Sequence, residues 1–124
     1  MKKIQTNEAP AAIGPYSQAI ITGNLVFTSG QIAIDPASGE VKAEGIVAQT
    51  EQVMKNLGAV LRAAGSSYEK AVKTVCFLKN MEDFAAFNEI YGRYFSGKPA
   101  RSCVAAAALP KGVLVEVEVI AEID

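Results

Sequence analysis

Apolar residues recur at every second position near the end of the chain. Val113, Val115, Val117, Val119, Ala121 and Ile123 share one parity, and Leu114, Glu116, Glu118, Ile120 and Glu122 the other. Such alternation predicts a strand with one face in a core and a mixed face outside. Leu109-Pro110-Lys111-Gly112 reads as the turn before it, and residues 99–104 (PARSCV) open a shorter run, placed on the neighbouring strand, that continues small or apolar to Leu109. Residues 17–22 and 25–31 are also rich in strand formers, and the Gly23-Asn24 pair between them predicts a tight hairpin. A second turn follows at Asp35-Pro36-Ala37-Ser38-Gly39.

The period then changes. Ile46, Thr50, Val53, Met54, Leu57, Val60, Leu61 and Ala64 fall on one side of a helix that Gly65 terminates. Residues 71–78 (AVKTVCFL) return to alternation. Asn80 to Asp83 has the look of an N-cap with acids in the first turn. The helix it opens carries Phe84, Phe87, Tyr91, Tyr94 and Phe95 on one stripe, with Asn88 inside it. A buried amide without a partner costs about 1–3 kcal/mol, and a structural bond to a nearby loop carbonyl is the plainest way to satisfy Asn88.

These elements predict an α+β domain spanning 1–124, in the order β-β-α-β-α-β-β, with two helices on one face of a single sheet. The other sheet face is left without a cover. Half of the residues are hydrophobic and only 20% are charged, a surplus that a buried interface between copies would absorb. Histidine is absent, which removes the commonest general base and metal ligand together. The net charge is −1 and no basic run extends beyond Lys2-Lys3, so the footprint of a nucleic-acid binder is missing. Cys76 and Cys103 form no CxxC pair, which argues against zinc and thioredoxin-like chemistry and for reduced thiols in the cytoplasm. The first residues, MKKIQTNEAP, turn polar at once, and no apolar run approaches the roughly 20 residues of a membrane span, so neither a signal peptide nor a membrane partner is expected.

The chemistry concentrates at Arg101 and the glutamates of the last strand. A guanidinium beside carboxylates admits two readings: an ion pair on a solvated sheet face, or an anion site with a water-activating group next to it.

Three motifs carry more. Gly14-Pro15-Tyr16-Ser17-Gln18-Ala19, Thr28-Ser29-Gly30-Gln31-Ile32, and Pro99-Ala100-Arg101-Ser102-Cys103-Val104 followed by the Glu-rich strand occur in this order. With these spacings the chain resembles, end to end, the RidA/YjgF family of enamine/imine deaminases. The loop Ser96-Gly97-Lys98 is shorter than in many members and reshapes the expected pocket rim. The resemblance implies a chorismate-mutase-like fold and a homotrimer with clefts between subunits. It implies hydrolysis of 2-imino acids, such as 2-iminobutanoate and 2-iminopropanoate, to 2-oxo acids and ammonia, with no cofactor and no metal. An imine is already electrophilic, so the protein mainly has to position it and a water. On this resemblance Arg101 holds the substrate carboxylate, Glu116 on the neighbouring strand orients water, and Tyr16 supplies a phenol. Ser29 and Gly30 offer a hydroxyl and close backbone approach, and Asn88 and Cys103 contact substrate, Cys103 through its main chain unless it merely packs. Glu118, of the same parity and roughly 7 Å further along the strand, is the rival of Glu116. Two other functions stay open: a regulatory trimer binding small carboxylates, and a ribonuclease or translation inhibitor, which the charge and the missing histidine disfavour.

Overall fold

A computed structural model describes residues 1–123; Asp124, the last residue of the expected domain, lies outside the described residues. Six strands, β1 (Lys2–Ile4), β2 (Ala19–Thr22), β3 (Leu25–Thr28), β4 (Ala71–Leu78), β5 (Ala100–Ala105) and β6 (Val115–Glu122), form one sheet in the order β1-β2-β3-β6-β4-β5. Every pairing is antiparallel except β4 with β5, so the sheet is mixed. Helices α1 (Gly45–Ala63) and α2 (Phe84–Tyr94) pack on one face.

The expected hairpin turns at Gly23-Asn24, and the expected strand 71–78 and first helix stand where the pattern put them. Gly65 ends α1 with φ +81°, a left-handed conformation that costs glycine nothing, while its N–H and that of Ser66 donate to the carbonyls of Arg62 and Leu61. Three expectations need correction. An additional strand, β1, precedes the hairpin; with one inward apolar residue, Ile4, it carries too little alternation to be read. Asn80 makes no side-chain cap: the chain enters α2 through a 3₁₀ turn at Met81–Asp83, whose Asp83 N–H is taken by the Asn80 backbone carbonyl. Most consequentially, β5 is not the neighbour of β6. It pairs in parallel with β4 after a crossover through α2, and β4 stands between the two.

Alternation decides which way each side chain faces. Val115, Val117, Val119 and Ala121 of β6, with Thr74, Cys76 and Leu78 of β4, are buried beneath the helices. The opposite parity, including Phe77, Glu116, Glu118 and Ile120, points to the face without helices, where Phe27 and Val104 are 39% and 49% exposed. The segment leading from β3 is clamped from both sides. The Asn56 side-chain amide on α1 donates to the carbonyls of Ile32 and Ile34 at 3.0 and 2.9 Å, and Gln31 exchanges two backbone bonds with Val117.

Candidate active site

On the helix-free side, a cavity of about 550 Å³ is lined by Tyr16, Gln18, Ser29, Gly30, Glu116 and Glu118, with Ile32, Ile34 and Pro110 among its apolar walls. The loop carrying Tyr16 is held by Gln18, a buried amide that accepts from Thr6 N–H at 2.7 Å and donates to the carbonyls of Thr6 and Pro10 at 3.0 and 2.7 Å. Ser29 stitches that loop to the end of β3: its hydroxyl donates to the Ser17 carbonyl at 2.5 Å and its N–H to the Gln18 carbonyl at 2.9 Å. Tyr16 itself is 54% exposed at the rim. At Gly30 a Cβ would collide with the Glu116 carboxylate, so glycine here is what lets the backbone lie against that side chain. Burial pushes the Glu116 carboxyl above the usual range, and the like charge of Glu118 pushes it further.

On the helix side, Arg101 of β5 sits beside Thr74, its register partner on β4. Its guanidinium carbon lies 4.9 Å from the Tyr91 ring centroid and 5.4 Å from that of Phe84. Its Nη1 donates to the Asn88 Oδ1 at 2.6 Å. Asn88 is therefore satisfied by Arg101 and not by the loop carbonyl expected from its place on the stripe. A second cavity, of about 510 Å³, is lined by Arg101, Asn88, Tyr91, Phe95 and Lys98. Cys103, of the same parity as Arg101, packs half-buried against the core beside Cys76. Burial raises the Cys103 thiol, opposed in part by Arg101, and pushes Cys76 up to about 12. Both are neutral thiols at physiological pH, which does not suit a nucleophile.

The seven expected site residues thus divide. Tyr16, Ser29, Gly30 and Glu116 meet on the helix-free side, and Asn88, Arg101 and Cys103 on the helix side. Arg101 and Glu116 stand on non-adjacent strands and opposite faces of one sheet, which rules out the simple ion pair between them. Within one protomer they cannot touch the same small molecule. Sequence reasoning missed Gln18, visible in its motif but without a role there, and the rings of Phe84 and Tyr91, which the helical stripe showed only as core.

The family model described as Endoribonuclease L-PSP matches residues 6–123. AldR of Lactococcus lactis subsp. lactis, named for a regulatory role, is 54% identical over 124 residues, covering 99% of this chain and 98% of its own. The 2-iminobutanoate/2-iminopropanoate deaminase of Mus musculus is 49% identical over 121 residues, covering 97% and 90%. The crystal structure of E. coli TdcF with bound serine has a TM-score of 0.94 at 41% identity and covers 100% of each chain.

Proposed function

The chain belongs to the endoribonuclease L-PSP family, also known as the RidA/YjgF family, and from that premise we propose that it is a deaminase hydrolysing reactive 2-imino acids, 2-iminobutanoate and 2-iminopropanoate among them. Arg101 takes the substrate carboxylate with its remaining N–H donors, a planar fork that a lysine cannot reproduce. Glu116 orients a water and accepts its proton as the oxygen bonds to the imine carbon, giving a carbinolamine. Starting from the protonated imine, Glu116 then passes its proton to the carbinolamine nitrogen; the C–N bond breaks as the hydroxyl gives its own proton back to Glu116, and the departing ammonia takes up that proton as ammonium, leaving a 2-oxo acid. Tyr16 and Ser29 border that water. All of these steps use side chains of the chain itself.

The observation that carries this reading is the Glu116 carboxyl: partly dry, raised in pKa, and held against Gly30 in a cavity. A protein that only binds carboxylates has a use for Arg101 and none for such a group. The name of the Lactococcus relative and the bound serine of the E. coli one support the second reading, a regulatory protein that senses small carboxylates through the same clefts. Both readings need Arg101 and differ at Glu116.

Because one protomer separates Arg101 from Glu116, the working site is completed by a second copy, and a homotrimer with three clefts between subunits fits this need. The helix-free face, with Phe27 and Val104 exposed beside its glutamates, offers the surface to bury. We read the match over 6–123 as one domain, and the two free cysteines as the mark of a reducing cytoplasm.

Mixing tests the reading directly. Arg101→Ala and Glu116→Gln chains, each nearly inactive alone, are refolded together at equal amounts. Random assembly restores an intact cleft in about a quarter of boundaries, so about a quarter of wild-type imine hydrolysis should return. No recovery in proven mixed trimers would defeat the shared site, full activity of Glu116→Gln alone would remove Glu116 from the chemistry, and 2-oxo acid binding with no imine hydrolysis by the wild type would favour the sensor.

A further inference from the structure

We propose that Phe84 and Tyr91 are positioning residues for Arg101: with the Asn88 amide they form a cradle on α2 that fixes the guanidinium before a ligand arrives. The proposal rests on reading Arg101 as the carboxylate anchor. Arginine has a long, many-rotamer side chain, and β5 is an edge strand whose Ala100, Ser102, Val104 and Ala105 are exposed. Nothing on β5 itself holds the fork. Residues 84, 88 and 91 are spaced by four and three, which places them on one face of α2 over successive turns. Two ring centroids within 6 Å of the guanidinium carbon are in cation–π range, and the Asn88 oxygen fixes one Nη1 proton.

The Tyr91 ring is itself immobilised. The Tyr91 hydroxyl lies 2.7 Å from Thr74 Oγ1, and Thr74, wholly buried, is the residue that pairs with Arg101 on β4. Phe87 and Phe95 flank the Tyr91 ring at 5.5 and 4.8 Å between centroids. One strand residue thereby sets both the backbone of Arg101 and the ring beneath its head group. The chemistry of the cradle also matters. Two quadrupoles and a neutral amide orient a cation without cancelling its charge, whereas a carboxylate at residue 88 would compete with the ligand for it.

Phe84 is half-buried, so Phe84→Leu keeps most of the packing and removes the π face. In ligand-free protein, nuclear magnetic resonance should show separate Nη signals for Arg101, which average in Phe84→Leu and separate again in Phe84→Tyr. Averaged signals in the wild type, or separate ones in Phe84→Leu, would overturn the cradle without bearing on catalysis. Binding reads the consequence: calorimetry with 2-oxobutanoate should show about 3- to 10-fold weaker affinity in Phe84→Leu, with KM raised and kcat within about twofold. In an Arg101→Gln background the same change should cost kcat/KM nothing more, and an equal loss in both backgrounds would mark Phe84 as merely structural. If Arg101→Gln alone binds 2-oxobutanoate like the wild type, the anchor role of the proposed function fails while the resonance measurement still decides the cradle.

Discussion

The Glu116 side of the molecule and the Arg101 side solve the same problem by opposite means. Around Glu116 the positioned element is main chain: a loop whose backbone groups are bound by the Gln18 amide and the Ser29 hydroxyl, and a Gly30 main chain laid against the carboxylate. Around Arg101 it is done by side chains: two rings and one amide on a single helix stripe. The difference follows from the charged groups themselves. A carboxylate in a partly dry cavity is short and needs little steering, but its protonation state must be set, and burial with a like charge nearby raises its pKa. A guanidinium keeps its charge in any surroundings and must instead be stopped from wandering. On the proposed reading, one half-site tunes a proton and the other aims a fork.

Substitutions should therefore fail in different kinetic parameters. The largest expected effect is Glu116→Gln, which keeps shape and loses the base. On the proposed reading kcat falls about 100- to 1,000-fold while 2-oxobutanoate affinity measured by calorimetry stays within about threefold. Next comes Arg101→Lys, which keeps charge and loses the fork. Losing about 2–4 kcal/mol of charge-assisted bonding lowers kcat/KM on the order of 30- to 1,000-fold, with 2-oxo acid binding weakened in step. If both variants lost only affinity, the division between a tuned proton and an aimed fork would collapse.

A smaller effect sharpens the backbone half of the contrast. Gly30→Ala drives a methyl group into the Glu116 carboxylate, which must swing aside. A drop in kcat on the order of tenfold is expected, because a displaced base misaligns water without touching the anchor. Single-turnover kinetics beside calorimetry would separate the two. Weakened 2-oxobutanoate binding with an unchanged chemical step would place Gly30 against the ligand instead.

How much of this was legible beforehand depended on whether the pattern was local. The α1 stripe, the eight-residue alternation of β4 and the Gly23-Asn24 turn each carry their own signal, and all three stand in the structure. The position of β5 is not local. Consecutive strands pair more often than not, so β5 and β6 looked like neighbours, whereas the α2 crossover sends β5 to the far side of β4. That exchange puts a strand between Arg101 and β6, and the register of Arg101 beside the inward Thr74 turns it to the face opposite Glu116, so one expected site becomes two halves. Asn88 shows the same limit: its need for a partner was visible, but the partner on an edge strand was not. Motif order named these residues as one group, whereas strand periodicity carries no information on what a crossover brings together.

The smallest expected effect concerns Glu118, which lines the same cavity as Glu116 two residues further along β6. Its parity and exposure match those of Glu116, yet Gly30 closes on Glu116 and not on its neighbour. What Glu118 does supply is a negative charge that raises the Glu116 pKa beyond the effect of burial. If ionised Glu116 is the active form, activity is lost as pH falls through that raised value. Glu118→Gln removes the like charge, so the acid limb of the kcat/KM profile should move to lower pH, by less than about one unit, with kcat at neutral pH within about threefold of wild type. Stability should follow the same sign. A carboxyl whose folded pKa is raised contributes stability below the ordinary carboxylate range and loses it as pH rises through the raised value, and the substitution should soften that loss. A limb that moved upward, or a kcat that collapsed as it does for Glu116→Gln, would make Glu118 a partner in the proton transfer and dissolve the distinction between the two glutamates.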